Sequence, residues 1–133
     1  MANCAGSEDN GSDSDPLIGK WKITSETTNG TPKMMTPCDL MQTSEFRHNG
    51  SNTVTSFARE NGDCVPVQAN VTRKWMYITS NNYQLKIYSG GNEVRTAYFQ
   101  ASFSDDKNTI TTYTTNEFGE IDVCTYDRML ATK

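Results

Sequence analysis

Leu17-Ile18-Gly19-Lys20-Trp21-Lys22-Ile23 decides the fold. Trp21 and Ile23 alternate with Lys20 and Lys22, the period of two that marks a strand with one buried and one wet face. Upstream runs a polar, acidic stretch, Cys4-Ala5-Gly6-Ser7-Glu8-Asp9-Asn10-Gly11-Ser12-Asp13-Ser14-Asp15, which ends at Pro16. The chain therefore divides into a flexible acidic tether, residues 1–16, and a folded body, residues 17–133, long enough to bury a core.

Beyond this first strand, turn signals recur every 8–15 residues. Asn49-Gly50-Ser51, Glu60-Asn61-Gly62-Asp63, Ser80-Asn81-Asn82, Gly90-Gly91-Asn92, Ser104-Asp105-Asp106-Lys107-Asn108 and Asn116-Glu117-Phe118-Gly119-Glu120 are rich in residues that tolerate positive φ. Between them, strands are expected near 17–27, 42–48, 52–59, 71–79, 83–89, 94–103, 109–115 and 121–129. No helical period persists over ten residues. The fold class is all-β, an eight-stranded antiparallel up-and-down barrel whose closure removes both sheet edges. A two-sheet sandwich is the alternative.

Composition agrees. Of 133 residues 35% are hydrophobic, and mean hydropathy is −0.68. The surplus polarity is Thr, Ser and Asn, suited to exposed strand faces and turns. A net charge of −4 with scattered basic residues argues against nucleic acid, which demands clustered Lys and Arg.

In such a meander the loops 28–41 and 60–70 lie at the same end, and they are the longest; the links at 49–51, 80–82 and 104–108 are short. The shape expected is a cup with one elaborated mouth. Cys38 and Cys64 fall in the two mouth loops, so a Cys38–Cys64 disulfide is expected, against two free thiols as the alternative. Cys124 reads as a buried free thiol in the last strand. Cys4 is left over on the tether, where a thioether-linked lipid explains it and a chance cysteine is the bland rival.

These residues carry a family resemblance. Asp15-Pro16-Leu17-Ile18-Gly19-Lys20-Trp21, Cys38, Phe46-Arg47-His48-Asn49-Gly50, Gly62-Asp63-Cys64 and Tyr126-Asp127-Arg128 resemble, in that order, the lipocalin-like domain of Gram-negative bacterial lipoproteins, a calycin-type barrel. Trp75 departs from the pattern in not following a glycine, and Cys124 is an addition to it. The resemblance implies that Arg128 stacks over Trp21 at the closed end, by cation–π attraction and packing. It also implies a lipidated Cys4 and an outer-membrane lipoprotein. Acidic residues soon after such a cysteine resemble export signals for surface display, so a cell-surface location is expected.

Catalytic chemistry finds little support. His48 is the only histidine and has no partner at metal or triad spacing. The acids concentrate in turns, where solvation explains them. An enzyme, a metal and a cofactor are not expected. The ligand-binding candidates are Met34 and Met35 in the first mouth loop, whose flexible thioethers suit apolar ligands, with Phe57, Trp75, Tyr77, Phe99 and Tyr126. Ala97 and Ala101 alternate with Phe99 and Phe103 on one strand face, which leaves interior room. The expectation is a monomer that binds a small, largely apolar ligand at the mouth without catalysis. The rival is a protein-interaction module, an inhibitor or a subunit of a surface complex, with a barrel packed solid. Polysaccharide binding through exposed Tyr83, Tyr88 and Phe118 is a third reading.

Overall fold

The computed structural model describes residues 15–67, 70–116 and 118–129; Cys4 and the tether up to Ser14 lie outside them. Among these residues ten strands follow in order: β1 Gly19–Thr28, β2 Thr31–Pro32, β3 Thr43–Phe46, β4 Ser51–Glu60, β5 Asp63–Val67, β6 Thr72–Thr79, β7 Asn82–Ser89, β8 Asn92–Phe103, β9 Thr109–Thr115 and β10 Ile121–Arg128. A 3-10 turn spans Asp39–Met41. Eight of the strands run in the antiparallel order β10-β9-β8-β7-β6-β4-β3-β1, and β10 pairs with β1 from Trp21↔Arg128 to Thr28↔Asp122. That last pairing closes the ring, so the architecture is a barrel and not a sandwich.

The two extra strands lie in the expected mouth loops. β2 folds back on β1, and β5 pairs with the outer half of β4. Asn61 and Gly62 both take positive φ, the geometry of a tight hairpin turn, which carries β4 directly into β5. β5 carries Pro66, which is tolerated there because β5 lies off the ring with β4 as its neighbour. The Cys38–Cys64 disulfide forms, tying the first mouth loop to β5. Cys124 is a free thiol, half-buried where full burial was expected.

The closed end is tightly packed. Leu17, Trp21, Trp75, Tyr83, Phe99, Ala101 and Ile110 form one buried cluster. Tyr83 and Phe99 stack with centroids 5.3 Å apart, and Phe46 stands edge-on to Trp75 at 5.8 Å. Buried polar tips are satisfied: Trp21 Nε1 donates to the Leu17 carbonyl and Trp75 Nε1 to the Arg47 carbonyl, each at 2.9 Å. The Tyr83 hydroxyl donates to Asp15 Oδ1 at 2.8 Å, and so does the Leu17 amide. Tyr83 is 1% exposed, which removes it as a sugar platform.

Arg128 seals this floor. Its guanidinium lies 4.3 Å from the centroid of the Trp21 ring. It donates to the carbonyls of Pro16 at 2.7 Å, Ile18 at 2.8 Å and Lys107 at 3.0 Å. Gly19 makes room: at φ +140° it takes a backbone conformation that side chains avoid, and a Cβ there would collide with Arg128 Nη1.

Toward the mouth the wall comes apart on two sides. β4 and β6 share only Ser51↔Lys74 and Asn52↔Arg73 before β4 turns away to β5. β8 meets β9 only from Gln100 to Phe103. The sheet β6-β7-β8 therefore joins its neighbours near the floor and stands free above it.

Candidate functional site

A cavity of about 240 Å³ lies inside the barrel above the floor. Its lining is mixed. Trp21, Phe46, Val54, Leu85, Phe99 and Ile110 are apolar, and Gln42, Ser44, Asn52, Arg73, Thr112, Thr114 and Tyr126 are polar. The two kinds interleave: Ser44 stands opposite Trp21, Asn52 opposite Phe46 and Tyr126 opposite Ile110. Alternation along β6 puts Arg73 two residues mouthward of Trp75, on the same inward face.

The polar part of the lining contains two unmet demands. Asn52 is 5% exposed; its Nδ2 donates to Ser44 Oγ at 3.1 Å and to the Glu45 carbonyl at 2.9 Å. Its Oδ1 is buried with no hydrogen-bond partner. Burying an acceptor without a partner costs free energy, so this atom awaits a donor from a bound molecule or water. Arg73, opposite Asn52 in the ladder, is the only charged side chain among the described residues that line the cavity. Burial and then the nearby Arg95 lower its pKa, with Tyr126 acting in the opposite sense. Burial in turn raises the Tyr126 phenol, with Cys124 and Glu26 adding to it, so Tyr126 stays neutral at physiological pH.

The sequence-expected residues divide. Phe99 and Tyr126 line the cavity. Trp75 is buried in the floor beneath it and is not part of the lining. Tyr77 is 51% exposed at the closed end, where its hydroxyl accepts from the Ser80 amide, so the inward parity of β6 carries it past the core. Phe57 is half-buried on the part of β4 that has left the ring, opposite Pro66. Met34 is 91% exposed and Met35 half-buried, and neither borders the cavity. Sequence reasoning missed Arg73, Asn52, Gln42 and Ser44. The signal for Arg73 was its spacing of two from Trp75.

No curated protein matches the chain. Among solved structures, a crystal structure of a point mutant of the fluorescent protein UnaG is similar with a TM-score of 0.44 at 13% identity, over 89% of this chain and 99% of that one. The family profile described as a lipocalin-like domain matches residues 17–118, from the entry of β1 to the link between β9 and β10. With the closed barrel and its interior cavity, that match places the chain in the lipocalin-like domain family.

Proposed function

We propose that this barrel binds a small, partly apolar ligand in its interior cavity, by burial rather than by catalysis. The observation that carries the reading is the cavity itself, about 240 Å³ with a lining part apolar and part polar. An apolar cavity of ~150 Å³ holds benzene, so this one holds on the order of ten non-hydrogen atoms. Ligand sites are typically of this kind, mostly apolar with a few convergent polar groups. The groups present favour holding over transforming. Arg73 is a fixed cation and Tyr126 a neutral phenol, and neither serves as a general base near neutral pH. The rival reading, an interaction module with a solid interior, has the cavity against it.

We further propose that the protein is monomeric and is anchored through a lipid on Cys4 to the outer membrane, with the barrel facing outward from the cell. The Cys38–Cys64 disulfide supports export, because such bonds persist in oxidising compartments. From Cys4 to Pro16 the tether has thirteen residues and reaches about 45 Å when extended, enough to hold the barrel clear of a lipid surface. Mass spectrometry of protein isolated from its own host tests both readings. Under native conditions a co-purifying small molecule is expected, and an empty barrel that also fails to bind short-chain amphiphiles in vitro overturns the binding. An unmodified Cys4 in the denatured spectrum overturns the anchor.

A further inference from the structure

Among the described strands, β8 has the longest stretch with a single neighbour. Its residues 92–99 follow β7 on one side, while β9 joins the other side only from Gln100. Outside the ladders, no backbone hydrogen bond among the described residues involves residues 92–99. In an antiparallel ladder alternate residues turn their N–H and C=O to each side. Half of the backbone polar groups of this stretch therefore face the opening between β8 and β9, which Arg95, Ala97, Tyr98, Phe99, Tyr113 and Thr115 border.

A row of unpaired backbone donors and acceptors is a template for another strand. Its side chains set which strand fits. A register shift between Ile87 and Tyr88 marks a bulge at Val94, which leaves residues 95–99 as the regular part of the edge. Ala97 stands opposite the cavity-lining Leu85, so Arg95, Ala97 and Phe99 face inward and Thr96 and Tyr98 outward. Arg95 is exposed and makes no ion pair among the described residues. Glu93, the nearest acid in sequence, is engaged by Lys86 and Thr96. An inward charge on an edge deters indiscriminate pairing, and a second copy of this edge brings the same cation. An acidic strand meets the opposite charge instead. Ala97 leaves space for a larger apolar side chain across from it. On the outer side Tyr98 and Tyr113 are 61% and 40% exposed, and their rings suit cross-strand packing.

We propose that β8 takes up an extended segment of a partner protein as an added antiparallel strand against residues 95–99. The guest carries an Asp or Glu across from Arg95 and a larger apolar residue across from Ala97. Because the strands run in opposite directions, the apolar residue precedes the acid by two positions in the guest. Main-chain hydrogen bonds supply the affinity and the alternate side chains the selectivity. This site lies on the barrel wall and does not depend on a ligand in the cavity.

Calorimetric titration of the full chain with acetyl-Val-Thr-Leu-Thr-Glu-Thr-amide tests this, with amide hydrogen exchange to locate the site. In the intended register its Leu faces Ala97 and its Glu faces Arg95. Exchange should slow at alternate amides of residues 95–99 and stay unchanged in β5. Lysine in place of the peptide's glutamate should weaken binding about three- to thirtyfold, as an opposed charge pair becomes a like pair. Arg95→Glu should invert the order of the two peptides without moving the melting temperature. Two backbone-methylated peptides separate strand pairing from side-chain capture. N-methyl groups on the first, third and fifth residues, or on the second, fourth and sixth, block opposite edges of the guest. One set should abolish binding and the other leave it within about twofold. Equal effects of the two sets, an unchanged order in Arg95→Glu, or no binding of the parent peptide overturns the proposal. So does slowed exchange in β5 in place of β8. Alternate amides of residues 95–99 already protected without peptide overturn it too: a sedimenting dimer then assigns the edge to a second copy, and a monomer to the chain itself.

Discussion

The two ends of this barrel are built on opposite principles. At the closed end the buried polar tips of Trp21, Trp75 and Tyr83 and the guanidinium of Arg128 all have partners, and aromatic rings fill the space between them. Around the cavity above it, Arg73 has no ion-pair partner among the described residues and Asn52 Oδ1 lacks a donor, and toward the mouth the wall parts from its neighbours on two sides. Saturated groups stabilise and unsaturated groups wait. Stability is thus concentrated in one half and receptivity in the other, a division expected where a site departs from the best local solution.

The largest test of that division is Trp21→Ala. It removes the ring under Arg128 and opens a void in the floor, and ~3–5 kcal/mol should be lost in urea denaturation. A loss below ~1 kcal/mol would show that the floor is not the anchor. Next comes the covalent exception at the mouth. Replacing Cys38 and Cys64 together by serine frees a loop whose ends are 26 residues apart, and the loop-entropy relation gives a cost of ~3–4 kcal/mol. If the loss is that large, the mouth keeps its shape through a cross-link where the floor uses packing.

The third test reverses sign. Arg73→Met should stabilise the empty barrel, by up to ~1 kcal/mol, because an unpaired half-buried charge is replaced by an apolar chain of similar reach. Destabilisation would mean that Arg73 has a structural partner in solution. The smallest effect concerns Cys124, whose thiol is pushed up to about 11, first by burial and then by Glu26. A raised folded-state pKa contributes stability that is present at lower pH and lost as pH climbs through it. Between about pH 9 and 11, Cys124→Ala should lose stability less steeply than the parent chain, as read from denaturation midpoints.

The floor was the legible half. Asn- and Gly-rich turns, strand alternation, the Gly19-Lys20-Trp21 entry and Arg128 together specify eight staves and their closure, because each rests on a local rule of φ, parity or packing. The mouth was less legible for reasons that can be named. Met34 and Met35 look like lid residues by type, yet their loop lies outside the cavity lining. Tyr77 has the right parity but too low a height, and parity carries no information about height. Arg73 and Asn52 went unread because polar residues in a strand are taken to face water by default. Their inward orientation follows only once Trp75 and Phe46 fix the register.

Arg128 binds the first strand to the last, and that sets a timetable. Its carbonyl partners at Pro16 and Ile18 are 112 and 110 positions away in the chain. As the chain emerges from a ribosome, β1 must wait for β10 with its inner face uncovered, however early it is made. The floor forms last although its first half is synthesised first. Contacts of such sequence separation slow folding and prolong the exposure of Leu17, Trp21 and Ile23. A nascent chain halted before Arg128 should be sensitive to protease across β1, and one released beyond it resistant.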